Sequence, residues 1–141
     1  MNKIQMQPKL FPIAFVVIGL LAACSNVPSN HVPSASAAFL RQVKQVPAGA
    51  DWSREVVLKK QGTLQYEIQS TEAFGVTLVT ERAYDALKAN DRGAFVKSDV
   101  VCMINCPEKK LARFAALPPG TYWFIIENKS DRLAKTSLVC W

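Results

Sequence analysis

The 141-residue chain contains a single histidine, His31, which excludes chemistry that needs a histidine pair and most multi-histidine metal sites within one chain. Its six glycines form no glycine-rich phosphate loop. Its serines lack both a G-x-S-x-G elbow and an S-x-x-K partner. The carboxylates Asp51, Glu55, Glu67, Glu72, Asp85, Asp91 and Asp99 are scattered, and no spacing forces two of them into one site. Catalysis is therefore not expected, and no catalytic residue, metal site or cofactor is assigned. The length suits one domain rather than two cores. The 50% hydrophobic content argues against a wholly disordered chain.

Acidic residues are missing from the first nine positions, where Lys3 and Lys9 stand, and residues 11–23 carry no charge of either sign. The apolar run at 10–21 is shorter than the roughly 18 residues that a spanning helix needs. A basic start, a short apolar stretch and small residues behind it read as a secretory signal peptide over residues 1–23. It ends in Leu21-Ala22-Ala23-Cys24. This tetrapeptide resembles the lipobox of bacterial lipoproteins. The resemblance implies that Cys24 receives a diacylglyceryl group on sulfur, that the segment before it is cleaved, and that the new amine is acylated. Ser25, where an aspartate would retain the protein in the inner membrane, implies delivery to the outer membrane, facing the periplasm. Burial of acyl chains contributes about 0.8 kcal/mol per methylene, so more than one chain anchors durably.

Residues 24–38 follow as a tether. The stretch S-N-V-P-S-N-H-V-P-S-A-S-A-A has no charge and no periodic apolar stripe, so disorder is expected, with His31 a spacer. Loss of residues 1–23 would take two cations and no acid, leaving a net charge of +4. The pairs Lys59-Lys60 and Lys109-Lys110 are too sparse for a nucleic-acid surface, and none is expected as a partner.

Beyond the tether the period is two. Leu64, Tyr66 and Ile68 alternate with Gln65, Glu67 and Gln69. Further strands are expected at 54–60, 76–80, within 95–104, at 111–117, at 121–127 and at 136–141. Residues 40–46 are ambiguous between strand and helix and are assigned narrowly to strand. The helix expected is 81–89, with Thr80 as N-cap and Tyr84 and Leu87 on one face. Seven or eight short strands argue for an all-β antiparallel sandwich over residues 39–141. The continuous apolar run 122–126 suggests a strand covered on both sides or lying beside a ligand groove.

The segment Leu117-Pro118-Pro119-Gly120-Thr121-Tyr122, and the apolar strand after it, resembles the L-P-x-G-T-Y turn of small jelly-roll sandwiches such as pre-peptidase C-terminal and GOLD domains. The likeness, which extends to the spacing of residues 64–68, 76–78 and Tyr84, covers about residues 52–141. It implies a jelly-roll fold and an accessory binding or spacing role, with no active site.

Three cysteines remain: Cys102, Cys106 and Cys140. One disulfide is expected in an oxidising compartment, with Cys140 favoured slightly over the local Cys102–Cys106 pair. Within one straight strand Cys102 and Cys106 would lie ~13 Å apart, so their pairing requires a fold-back at Asn105-Cys106-Pro107. A bridge from Cys140 would staple the last strand. The C-x3-C spacing is a poor zinc pattern. Trp52, Tyr122, Trp123 and Trp141 are either core residues or stacking platforms for a glycan. Two functions follow as expectations: a lipid-anchored, non-catalytic module that binds or assembles an envelope protein, or a glycan-binding sandwich lipoprotein. Replacing Cys24 by alanine is expected to abolish incorporation of radiolabelled fatty acid and to leave an uncleaved precursor. Label retained on the Cys24→Ala chain would refute the anchor.

Overall fold

The structure, a computed structural model, describes residues 38–91 and 96–141. The signal segment, Cys24, His31 and nearly all of the tether lie outside the described residues. The described chain forms eight strands: β1 (Leu40–Val46), β2 (Asp51–Leu58), β3 (Gly62–Ser70), β4 (Phe74–Thr80), β5 (Val100–Cys106), β6 (Lys110–Leu117), β7 (Gly120–Asn128) and β8 (Ala134–Cys140). Helix α1 (Glu81–Lys88) follows β4, and a 3-10 turn at Lys97–Asp99 precedes β5. All strand pairs are antiparallel, in two sheets ordered β1-β8-β3-β6 and β2-β7-β4-β5. This is the all-β sandwich expected, and its strand order is that of a jelly roll, in which successive strands cross between two four-stranded sheets except at the β4–β5 pair, which stays in one sheet.

Alternation places the core. On β3 the residues Leu64, Tyr66 and Ile68 face the opposite sheet, as do Tyr122, Phe124 and Ile126 on β7 and Leu138 and Cys140 on β8. Across the middle, the Tyr66 ring meets Phe124 edge-on at 4.9 Å, and its hydroxyl lies 3.4 Å from the Cys102 sulfur. Strand β4 departs from alternation: Phe74, Gly75, Val76, Leu78 and Val79 are all buried. Its outer side is covered too, because α1 packs against β4 and β7.

Residues 40–46 form a strand because no helical face exists for them. Leu40 and Val46 turn inward, whereas Val43 is 58% exposed. The strand pairs along its whole length with β8, from Leu40↔Cys140 to Val46↔Ala134. The turn after it closes through Ala50 N–H donating to the Pro47 carbonyl, 3.1 Å, with Gly49 in the left-handed region at φ 65. The edge strands β2 and β6 carry Arg54 and Arg113 at inward-parity positions, opposite Phe124 and Tyr66. Charges there discourage edge-to-edge pairing with another chain.

One buried polar side chain fastens four segments. Asn128, 2% exposed, ends β7. Its Nδ2 donates toward the carbonyls of Val46 (3.0 Å), Pro47 (3.1 Å) and Arg132 (2.6 Å). Its Oδ1 accepts from Ser130 N–H and Oγ–H, and its backbone N–H donates to Ala50. The amide thus ties the β1–β2 turn to the β7–β8 loop and joins the two sheets at one end. Asn128→Ala is expected to cost on the order of 1–3 kcal/mol, since the buried bond to the Val46 carbonyl is lost together with those that shape the β7–β8 loop. Urea unfolding should show a lowered midpoint at unchanged slope; an unchanged midpoint would refute the role.

Candidate functional site

The outer faces of the two sheets differ. On the second sheet, one half is roofed by α1. Thr80 caps this helix, its hydroxyl accepting from Ala83 N–H at 3.4 Å. The buried residues of α1 are Ala83 and Ala86, small enough to bring it close to the sheet, while Leu87 is 48% exposed. The expected apolar face of Tyr84 and Leu87 is therefore replaced by Ala83, Ala86 and Tyr84. The Tyr84 ring stacks on Trp123 at 3.9 Å with 7° between planes. Arg82 holds the far end of the roof, donating through Nε and Nη2 to both oxygens of Asp99, each at 2.8 Å. That bidentate bond, with the Arg82 charge, keeps the Asp99 carboxyl below its ordinary value of 3.8. Its stabilising effect is complete above that value and is lost as pH falls through the lowered one.

The other half of this face is open. Thr77 aligns with Met103 on one side and Ile125 on the other, so three side chains make one row across β5, β4 and β7. Met103, on the edge strand β5, is 70% exposed. Next to this row Gly75 lies between Asn105 and Glu127. Lys129 crosses over Gly75 and ion-pairs with Glu127; a Cβ at position 75 would sit 2.9 Å from Lys129 Cε. The result is a shallow groove of about 150 Å³ with an apolar floor and a charged end. A second hollow, of about 250 Å³, lies on the first sheet between Val43, Gln69, Thr71, Lys135 and Ser137. Both are below the roughly 300–1,000 Å³ of small-molecule sites.

The four candidate aromatics do not converge. Trp52 and Tyr122 are core residues, 9% and 4% exposed, because each occupies an inward position of its strand. The Tyr122 hydroxyl donates to the Pro118 carbonyl at 3.0 Å and closes the β6–β7 turn. Trp123 faces outward but lies under Tyr84. Trp141 stands half-buried on the outer face of the first sheet. Trp52 and Tyr122 are thus the packing residues of the core alternative, and Trp123 is covered by Tyr84. The groove escaped the sequence reading because Thr77, Met103 and Ile125 come from three strands. The apolar Ile125 inside the run 122–126 was its one visible signal.

The expected disulfide is not formed. Cys102 and Cys106 both belong to the continuous strand β5, paired with Leu78 and Phe74, so the chain makes no fold-back between them. Cys140 is in the first sheet beside Leu40 and Tyr66, whereas Cys102 and Cys106 are in the second. No staple is needed, since β8 is an interior strand paired on both sides. Among the described residues no cluster of three histidine, cysteine or acidic side chains could hold a metal. None of their helices is long and apolar enough to cross a membrane.

No protein-family model matches the chain, and no curated protein matches it in sequence. Among solved structures, the fold is similar to the crystal structure of the Yersinia pseudotuberculosis-derived mitogen. The TM-score is 0.49 and the identity 13%, over 72% of this chain and 82% of that one.

Burial pushes the Cys140 thiol up from 9.0 to about 12 and raises Cys106 as well. A raised thiol stabilises the fold fully below the unfolded value, and the contribution is lost as pH rises from about 9 toward 12. The thiols are therefore expected to resist alkylation in the native protein at pH 8 and to react together on unfolding. Alkaline unfolding should begin in that window. Rapid native labelling of Cys140 would refute this packing.

Proposed function

We propose that the chain is an outer-membrane lipoprotein, anchored through Cys24, whose jelly-roll sandwich is a non-catalytic module for binding or assembling an envelope protein. The observation that carries this reading is the open row Met103–Thr77–Ile125 beside α1. A solvent-exposed methionine is a flexible, polarizable contact that adapts to a partner's side chains. An apolar centre with a charged rim, here Glu127 and Lys129, is the composition of a protein interface. Strand β5 is also an edge, so backbone groups beside the groove are open to pairing with a partner strand. The groove's volume accommodates one or two side chains rather than a metabolite. The glycan alternative loses support from the positions of its aromatics, since Trp141 alone among the four is neither in the core nor under another ring.

A photo-crosslinking amino acid at position 103, introduced in cells, is expected to give one discrete adduct in native membranes. Ile125→Arg, which places a charge on the groove floor, should reduce that adduct at least tenfold. The same probe at Gln45, exposed on the other sheet, should give none. No adduct from position 103, or an equal adduct from position 45, would refute the groove as the partner site.

A further inference from the structure

We infer that the aromatic end of the first sheet's outer face docks on an anionic bilayer surface, an inference that rests on the anchoring of Cys24. The residues assemble across four strands. Trp141 pairs with Gln65 through N–H to carbonyl bonds in both directions, 2.9 and 3.3 Å, and Gln65 aligns with Phe114. Phe39 donates its backbone N–H to the Cys140 carbonyl and so lies beside the end of β8; its side chain is 55% exposed. In the next row Val139 and Ala112 flank Glu67, and Ala116 aligns with Thr63. None of these outward side chains is fully buried. Helix α1 packs on the opposite sheet and leaves this face open. The Trp141 ring is half-buried, and its indole N–H is buried with no acceptor among the described residues.

Three further observations select the occupant. First, the chain leading back to Cys24 leaves the sandwich at Phe39. Only 14 residues separate Phe39 from Cys24, so an anchored domain keeps this corner near the lipid. Second, the exposed Phe39 ring and the half-buried Trp141 ring beside it suit the boundary between headgroups and acyl chains. Third, the rim is cationic. Arg41 stands on the same face, and the exposed Lys59 and Lys60 lie in the turn that enters β3 at this end. Nearby Glu67 is opposed by Lys110 at 3.8 Å. Cations at this distance are drawn to anionic headgroups. Docked this way, the sandwich turns its other sheet, with the Met103–Thr77–Ile125 groove, away from the membrane.

The test uses the full chain purified from labelled membranes and reconstituted into phosphatidylglycerol–phosphatidylethanolamine vesicles with brominated acyl chains. Tryptophan emission is expected to be quenched, and Trp141→Phe should remove that quenching, since Trp52 is in the core and Trp123 lies under Tyr84. Lys59→Glu with Lys60→Glu should weaken the quenching several-fold, as should 1 M salt, where screening acts within about 3 Å. Emission unquenched in a chain that carries the lipid label overturns the docking and leaves the anchor standing. Quenching unchanged in Trp141→Phe overturns it too, as does shielding of Trp141 that appears only in native membranes, which assigns the face to a protein. A chain without lipid label overturns the anchor and, with it, the premise of the docking.

Discussion

The buried amide of Asn128 is the constraint on which the closure of this sandwich depends. A jelly roll must bring strands that are remote in sequence to one end of two sheets. Here that end meets at the carbonyls of Val46, Pro47 and Arg132, all within reach of one Nδ2. Those carbonyls belong to the strand, turn and loop that lead into both sheets. An apolar residue of the same size could fill the space, yet would take this donor from the buried bond to the Val46 carbonyl, while Pro47 and Arg132 would keep Ala50 N–H and Ser130 Oγ. The same amide oxygen shapes the β7–β8 loop by accepting twice from Ser130. At the other end of the sandwich, closure comes instead from Tyr122 and its bond to Pro118.

Between these ends the core is held by shape. Phe124 and Tyr66 meet edge-on, the favourable arrangement of two ring quadrupoles. Cys102, Cys106 and Cys140 take part as small apolar residues, and burial raises the Cys106 and Cys140 thiols above their ordinary value. The last strand, seemingly the one in need of a covalent staple, is secured by its neighbours. With β1 on one side and β3 on the other, β8 cannot peel away without breaking two ladders.

The two outer faces differ in cover. The second sheet is roofed at one end by a short helix pinned through Arg82 and Asp99, and the roof defines the open groove beside it. The first sheet has no roof, and its outward aromatics gather where the chain enters the domain. The proposed function builds on this asymmetry, giving an anchored module one face toward the membrane and the other toward a partner.

Much of the architecture was legible in the chain. Period-two alternation and β-branched or apolar runs located the strands, and the apolar run of β7 combines a core face with an outer face that lies partly under Tyr84 and partly beside the groove. Thr80 and the residues after it marked the helix. The lipobox-like residues 21–24 and nearly all of the expected tether lie outside the described residues, and both expectations come from the sequence alone. What the sequence could not decide is what depends on which strands become neighbours. Alternation assigns a residue to a face but does not name the residue opposite it, so Trp52 and Tyr122 could be core or platform until the register fixed them inside. Cysteine spacing could not tell whether β5 bends back, or that Cys140 would be in the other sheet. The groove of Met103, Thr77 and Ile125 exists only because β4 lies between β5 and β7, an order set by packing two whole sheets together and not by any local pattern.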